Sequence, residues 1–350
     1  MLTDRIEGKW ITMFRDAFAA SGIKKDSLVC IIAETQSREL NVHLCELALS
    51  ALGARPFKLI AQSPRQRSSL PQRSTGSSTA LEDLRPIIPG LAPCELVLDL
   101  TVEGALHSPE IHQILATGTK ALHILNEHPD ALERLAGDAD MLELAQRSLE
   151  ILRAGKVMRV TSAAGTDLTV DIESAKVASV TGVVGKSGDR GHWPGGLVAT
   201  YARNDKCTIN GTIVVDSGDI NCTFKRYHEE PMTLRIKDDM IHAVEGDGVD
   251  ASLFKSYSDS WQDRYAYACS HLGWGLNSAA RWESLAMYDR RDTNSIEARI
   301  FAGNFLLGVG ASHVAKRDTR NHFDISMRNT TILIDDRKVV DCGKLCIPID

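Results

Sequence analysis

Strand-like segments alternate with helical ones over the first 150 residues, and this alternation restricts the fold more than any other feature. Residues 28–32 are a continuous apolar run typical of a buried parallel strand, and residues 56–60 have the pattern of a second strand. Between them, residues 38–52 place leucines at helical spacing. Residues 62–80 have the polar composition of a surface loop, further strand-like runs follow at residues 95–100 and 121–125, and residues 130–154 have a helical pattern. Strands that alternate with helices predict a parallel α/β sheet.

The pattern changes after Gly155. Residues 156–161 and 166–171 alternate apolar and polar side chains on either side of a turn at Gly165, which predicts a β-hairpin. Further alternating strands are predicted at residues 208–216, 232–237 and 331–335.

This change of pattern predicts two domains in the 350 residues, an α/β domain at residues 1–155 and an α+β domain at residues 156–350. Hydrophobic residues make up 43% of the chain, which is enough to bury a core without disulfides or structural metals. The eight cysteines are irregularly spaced, which favours small buried side chains over a disulfide framework or a zinc site.

Several functional classes have no support in the sequence. The net charge is -6 and the two signs are well mixed, so we expect no nucleic-acid partner. The first 18 residues resemble a charged amphipathic helix rather than a signal peptide, and no apolar run has the length of a membrane span, so we expect a soluble, cytoplasmic protein. The GxGxxG, GxSxG and HExxH motifs are absent, which argues against the corresponding nucleotide-binding proteins, serine hydrolases and zinc proteases.

The local feature with the clearest chemistry is His322-Phe323-Asp324. In a strand, residues i and i+2 point to the same face, so His322 and Asp324 would project together. With one distant histidine they would form a two-His, one-carboxylate set, which leaves positions on iron(II) open. The alternative interpretation is a histidine hydrogen-bonded to its neighbouring carboxylate. Spacing alone does not select the third ligand among eleven histidines.

His271 is the best candidate for that ligand. It lies in a segment with two glycines and a tryptophan, Gly273, Trp274 and Gly275, which indicates tight backbone packing and a dry, rigid environment that suits a metal ligand. The alternative is a hydrogen-bonded core histidine.

Two further histidines are candidates for proton transfer. His192 lies beside a tryptophan in a loop rich in glycine and proline, a position suited to a general base or a substrate contact. His107 precedes a predicted helix start at Ser108 and Pro109, where the helix dipole favours a neutral imidazole. Each could instead be a surface or capping residue. The remaining histidines discussed here are predicted to be structural (His43, His112 and His123) or in a solvated loop (His313).

Taken together, six segments in the same order resemble the 2,5-dihydroxypyridine 5,6-dioxygenases of nicotinic acid catabolism. That family is related in fold to the M29 metallo-aminopeptidases and has an N-terminal α/β domain and a C-terminal metal-binding domain. The segments are residues 106–110, 192–194, 216–220, 270–276, 303–306 and 322–324.

The resemblance implies an iron(II) site formed by His271, His322 and Asp324, with His107 and His192 facing a small ring substrate. On this basis dioxygen is activated, both of its atoms enter the ring as it opens, and one of the two histidines moves the hydroxyl proton. The resemblance also implies a homo-oligomer, by analogy with related enzymes.

The chain differs from the family at two positions, which leaves an alternative function open. Val180 occupies a position where the family has glutamate, twelve residues before the histidine that matches His192, and Gly308 replaces a serine. Loss of two polar groups would change which ring is held. The alternative is a hydrolase on the same scaffold, such as a lactonase that acts on a ring-cleavage product, with Mn(II) or Co(II) activating water. A non-catalytic binding protein is disfavoured because all the proposed ligands are present.

Overall fold

The computed structural model describes residues 2–65, 76–124, 126–136 and 139–349. The predicted surface loop at residues 62–80 and the predicted strand end at Leu125 therefore lie partly or wholly outside the described residues. The helices are α1 (Gly8–Ala20), α2 (Glu39–Ala51), α3 (Pro109–Ala116), α4 (Pro129–Leu135), α5 (Ala139–Ala154), α6 (Val249–Ser260), α7 (Ser284–Met287) and α8 (Ile296–Ile300), with 3₁₀ helices at Glu82–Leu91 and Arg264–Tyr267.

The strands form three sheets. They are β1 (Leu28–Glu34), β2 (Arg55–Ala61), β3 (Leu96–Asp99), β4 (Lys120–His123), β5 (Val157–Ser162), β6 (Asp167–Asp171), β7 (Val177–Val180), β8 (Arg190–His192), β9 (Leu197–Tyr201), β10 (Ile209–Val215), β11 (Ile220–Asn221), β12 (Arg226–Tyr227), β13 (Met232–Lys237), β14 (Met240–Glu245), β15 (Cys269–Gly275), β16 (Phe305–Ser312), β17 (Arg317–Met327), β18 (Thr330–Ile334), β19 (Arg337–Asp341) and β20 (Lys344–Leu345).

The first sheet is parallel, in the order β2-β1-β3-β4-β8, which confirms the predicted α/β architecture. Val29 and Ile31 of β1 pack against α1 and α2, whereas Cys30 and Ile32 pack against α3 and the first 3₁₀ helix. Successive strand residues point to opposite faces, so a sheet covered on both sides needs an uninterrupted apolar strand. This explains the continuous apolar run at residues 28–32.

The last strand of the parallel sheet comes from beyond residue 155. β8 pairs with β4, and His192 lies in register with His123. Trp193, directly after β8, packs edge-on against Phe14 of α1, with 5.0 Å between ring centroids. The division into two domains at residue 155 stays a prediction. One strand from beyond that position, β8, completes the first sheet.

The other two sheets are antiparallel and share one core. Their orders are β14-β13-β10-β6-β5-β18-β19-β20 and β12-β11-β17-β16-β15-β9-β7. Met158 and Leu168 of the first belong to the same buried cluster as Trp274 and Phe305 of the second. The predicted hairpin is confirmed as β5 and β6, with Gly165 at a φ of +112° in its turn. A glycine suits this turn because a side chain is strained at positive φ.

Several local details differ from the sequence predictions. The segment predicted as one helix from Asp130 to Ala154 forms two helices, α4 and α5. Ser108 stands before α3 as predicted but does not cap it, because its hydroxyl donates instead to the backbone oxygen of Ser78 at 2.6 Å. All eight cysteines are free. No helix among the described residues is both long enough and apolar enough to span a bilayer.

Candidate active site

Three adjacent antiparallel strands, β15, β16 and β17, bring the predicted metal ligands together. His271 of β15 is in register with Gly308 of β16, and Gly308 is in register with Asp324 of β17. Residues that face each other across antiparallel strands point to the same side of the sheet. His271 and Asp324 therefore face the same side, two strands apart.

Gly308 allows these two side chains to meet. A Cβ atom built at Gly308 would lie 2.1 Å from Cε1 of His271, so the imidazole occupies the space that any other residue would fill. Across the gap, Nε2 of His271 lies 3.7 Å from Oδ1 of Asp324. In this chain the His271 ring therefore lies in the space beside Gly308 that the serine of the family would occupy.

His322 approaches the same carboxylate oxygen from its own strand. It lies two residues before Asp324 on β17, and its Nδ1 is 3.6 Å from Oδ1 of Asp324. His271, His322 and Asp324 each offer one possible ligand atom, and these three atoms lie within 4.8 Å of one another. All three residues are buried.

The donor atoms of this triad fit a metal ion. Nδ1 of His271, both ring nitrogens of His322 and Oδ1 of Asp324 are buried and have no hydrogen-bond partner within the described chain. Most buried polar atoms in folded proteins have a partner, so such a cluster calls for an explanation. The separations of 3.6 and 3.7 Å are too long for histidine-carboxylate hydrogen bonds, which disfavours that alternative. Two imidazoles and one carboxylate are a set that binds divalent transition metals.

The protonation states also suit a metal ion. Burial lowers the pKa of His271 and lowers that of His322 to about 4, so both imidazoles are neutral at neutral pH. Burial alone would raise the pKa of Asp324, but the charges of His322, Arg299 and His271 outweigh burial and hold the pKa at about 2. Neutral imidazoles and an ionised carboxylate are the forms that ligate metals.

Arg299, which the sequence analysis did not identify, orients the carboxylate. Its Nε donates to Oδ2 of Asp324 at 2.7 Å, and Nη1 donates to the backbone oxygen of Asn294 at 2.8 Å. This leaves Oδ1, the oxygen without a protein partner, directed at the two imidazoles. The sequence does contain an indication of this role: two charged residues, Glu297 and Arg299, lie inside the otherwise apolar segment of α8.

His107 reaches the triad from the parallel-sheet domain. Its ring stacks on His322 with 3.9 Å between centroids and lies 5.9 Å from that of His271. Its pKa is lowered well below the usual value, mainly by burial and then by the charges of His322 and Arg190. The helix dipole was predicted to keep this imidazole neutral, but burial is the main cause, and the charge of Arg190 adds to it.

His192, at the end of β8, has a defined tautomer. Its Nδ1 lies 2.7 Å from the backbone oxygen of Pro194, which can only accept, so Nδ1 carries the proton and Nε2 is free to accept one. Burial lowers the pKa of His192 to about 4, while the charge of Asp324 acts in the opposite direction. His192 is therefore a neutral imidazole within electrostatic reach of the triad.

Other histidines lie away from the triad. His123 is buried and its Nδ1 lies 2.5 Å from Oδ2 of Asp99, and His43, on α2, has a partly exposed side chain. His313 is exposed, as the predicted solvated loop requires, but its ring stacks on His112 with 3.6 Å between centroids.

Comparison with known proteins identifies the family. The sequence model of a family described as 2,5-dihydroxypyridine 5,6-dioxygenase matches residues 9–347. The chain belongs to the 2,5-dihydroxypyridine 5,6-dioxygenase family. It is therefore an enzyme of a ring-cleaving dioxygenase family, and the resemblance noted in the sequence is confirmed.

Individual members agree with this assignment. The 2,5-dihydroxypyridine 5,6-dioxygenase of Pseudomonas putida KT2440 is 30% identical over 340 residues, covering 96% of this chain and 95% of the relative. The solved structure of 2,5-dihydroxypyridine dioxygenase from Pseudomonas putida KT2440 superposes with a TM-score of 0.89 at 28% identity, covering 99% of each chain.

A second solved structure bears on the fold alone. Wild-type AmpT from Thermus thermophilus aligns with a TM-score of 0.63 at 12% identity, over 97% of this chain and 99% of AmpT. The predicted M29 aminopeptidase-like fold of this dioxygenase family member is thereby confirmed.

Proposed function

We propose that this enzyme is an iron(II)-dependent, ring-opening dioxygenase that acts on a hydroxylated pyridine or a related aromatic acid in a catabolic pathway. The observation that carries the proposal is the buried triad of His271, His322 and Asp324, whose donor atoms lack other partners, in a chain of the 2,5-dihydroxypyridine 5,6-dioxygenase family. The proposed substrate to test first is 2,5-dihydroxypyridine.

On this proposal the three triad side chains hold the metal, and Arg299 fixes the carboxylate so that Oδ1 faces it. The chemistry that bound iron(II) would supply is activation of dioxygen and polarisation of a ring hydroxyl, at the coordination positions that three protein ligands leave open. One dioxygen is consumed for each ring, both of its atoms enter the product, and the bond between C5 and C6 opens.

His192 would act as the general base. Its Nδ1 proton is committed to the oxygen of Pro194, so Nε2 is the atom that accepts the proton of the ring hydroxyl. Burial keeps this imidazole neutral at physiological pH, which makes it ready to accept. His107 would line the pocket on the side of His322, since its ring already stacks there.

The test is oxygen uptake by protein that is purified without oxygen, loaded with iron(II) and given 2,5-dihydroxypyridine. An oxygen electrode and the absorbance of the ring are read together. We expect one dioxygen consumed for each ring lost. Iron-loaded protein that consumes no oxygen would contradict the proposal, and the hydrolase alternative would then be tested on unsaturated lactones without oxygen, with Mn(II) or Co(II).

Asp324→Ala tests the ligand assignment. Removal of the carboxylate leaves two imidazoles, so we expect iron affinity to fall by more than about 100-fold, measured by metal analysis after dialysis. Asp318→Ala on the same strand is the matched control, because Asp318 is exposed. An Asp324→Ala variant with full iron content and full activity would refute the assignment.

A cytoplasmic location and a homo-oligomeric state are further proposals from the sequence. Cell fractionation tests the first, and light scattering on the purified protein tests the second.

A further inference from the structure

Arg190 lies beside the candidate metal site, on the same short strand as His192. The two residues are separated by one position on β8, so their side chains leave the strand on the same face. Nη1 of Arg190 donates to the backbone oxygen of Leu106, next to His107, and lies 3.4 Å from Nε2 of His112. The guanidinium is thus held between the strand of His192 and the loop of His107.

The positive charge of Arg190 has no opposite charge next to it. Its two partners, a carbonyl oxygen and an imidazole nitrogen, are both neutral acceptors, and no carboxylate of the described residues lies within 4.0 Å. Burial lowers the pKa of Arg190, which means that the cation loses hydration without electrostatic compensation. By contrast, the buried guanidinium of Arg299 pairs with Asp324, and Arg317 pairs with Asp239 at 2.7 Å.

Lys176 adds to the positive charge around Arg190. The pKa of His112 is lowered to about 3, first by burial and then by the charges of Arg190, His313 and Lys176. The pKa of His313 is lowered by burial, Arg190 and Lys176 in that order. Both imidazoles are therefore neutral at pH 7, and the cations among these groups are Arg190 and exposed Lys176, whose field favours an anion.

Arg190 also lies near the triad side of the site. Its partner Leu106 directly precedes His107, whose ring stacks on that of His322 with 3.9 Å between centroids. Tyr201, whose phenol acts on the pKa of Arg190, is in register with His271, and their two rings are 6.1 Å apart. The guanidinium is therefore close to the groups that would surround the substrate.

We propose that Arg190 forms an anion-binding subsite of the substrate pocket and binds an ionised oxygen of the ring substrate. This inference rests on the proposed function, because it places that ring between His107, His192 and the triad. Guanidinium groups bind oxyanions through directional, charge-assisted hydrogen bonds. The oxygen can belong to a ring carboxylate or to an ionised ring hydroxyl.

The test is equilibrium binding to iron(II)-loaded protein without oxygen, so that no turnover occurs. The probes are 2,5-dihydroxybenzoate, which carries a carboxylate, 2,5-dihydroxypyridine, and benzene-1,4-diol, which is neutral at pH 7. We expect Arg190→Gln to raise the Kd of an anionic ring by about 10- to 100-fold and to change that of benzene-1,4-diol less than about 3-fold. Arg190→Lys keeps the charge and should lose less affinity.

The pattern of loss identifies the source of the anion. If Arg190→Gln loses affinity for 2,5-dihydroxybenzoate alone, the subsite binds a carboxylate. If it loses affinity for 2,5-dihydroxypyridine, and this loss grows as the hydroxyl of the ring ionises, the subsite binds that ionised hydroxyl. Arg159→Gln, which removes an exposed arginine, is the matched control and should leave every Kd unchanged. Equal Kd values in wild type and Arg190→Gln, or an equal loss for all three rings, would overturn the inference.

A measurement on the unmodified protein guards against a variant that does not fold. Benzoate should compete with the anionic ring, and benzyl alcohol should not; equal competition by both would also overturn the inference. If the wild type consumes oxygen but Arg190→Gln binds every ring as tightly as the wild type does, only the anion-binding subsite is overturned. If Arg190→Gln binds the anionic ring more weakly but the wild type consumes no oxygen, only the proposed function is overturned.

Discussion

Gly308 shows how a single missing side chain defines the site. The imidazole of His271 extends over β16 towards Asp324 and occupies the space that a Cβ at position 308 would fill. This contact spans three strands, so it depends on a register that no local pattern encodes.

We therefore predict that Gly308→Val weakens metal binding by at least about 10-fold, because a Cβ 2.1 Å from Cε1 and two further methyl groups would displace the His271 ring more than the serine of the family does. Competition with a metal chelator measures the affinity. Gly185→Val is the matched control, since no atom lies within 4 Å of a Cβ built there. Equal affinities in the two variants would show that the ring can move without cost.

His192 is the second position where one side chain can be tested by itself. We predict that His192→Gln retains iron but lowers kcat by about 100- to 10,000-fold, because the amide cannot accept the hydroxyl proton. Metal analysis and oxygen uptake are measured on the same sample, with His43→Gln as the control at a partly exposed site. If kcat stays within about 3-fold of the wild-type value, His192 is not the general base, and its role is structural, through its hydrogen bond to Pro194.

At the scale of elements, the short helix α8 connects the two halves of the molecule. It carries Arg299, which holds Asp324, and Glu297, which accepts two hydrogen bonds from Arg134 of α4 at 2.6 and 2.7 Å. Glu297 is buried, and Arg134 is its charged partner. The ion pair thus links the α/β half to the helix that orients a candidate metal ligand.

We predict that Arg134→Ala lowers the free energy of unfolding by about 1–2 kcal/mol, because it leaves the Glu297 carboxylate without its cation. The value is modest because the Arg134 side chain is 37% exposed and water can replace part of the contact. Urea denaturation measures it. Arg15→Ala, which breaks an exposed pair with Asp16, should change stability by less than about 0.5 kcal/mol. Similar losses in both variants would contradict the linking role of α8.

At the scale of the whole molecule, several buried histidines make stability depend on pH. Burial lowers the pKa of His192 and of His228 to about 4, and that of His112 to about 3, against about 6.5 in an unfolded chain. Each is neutral when folded but binds a proton near pH 6.5 when unfolded. Protonation therefore favours unfolding, and the stability present above pH 6.5 is lost as the pH falls towards 4.

We predict that the denaturation midpoint of the metal-free protein decreases steadily between pH 6.5 and pH 4. His228→Gln should reduce this pH dependence, since it removes a buried titrating group whose pKa responds to burial and to the charges of Asp250 and Arg226. A midpoint that stays constant from pH 7 to pH 4.5 would show that these imidazoles do not control acid stability.

Local patterns in the sequence were enough to predict many of the elements and the residues available for chemistry. The apolar run of β1 and the alternation with helices predicted a parallel sheet covered on both faces, because strand periodicity reports burial directly. The spacing of His322 and Asp324 predicted two polar side chains on one face, because residues i and i+2 of a strand share a face. Local geometry was sufficient for both.

Only the tertiary structure decided how distant segments combine. The pairing of β8 with β4, the register that sets Gly308 between His271 and Asp324, and the ion pair of Arg299 all join residues far apart in the chain. Packing of whole sheets and helices selects such contacts, and no short-range periodicity records them. For the same reason, Arg190 had no distinguishing pattern in the sequence, and the role of Arg299 became identifiable only from its neighbours in space.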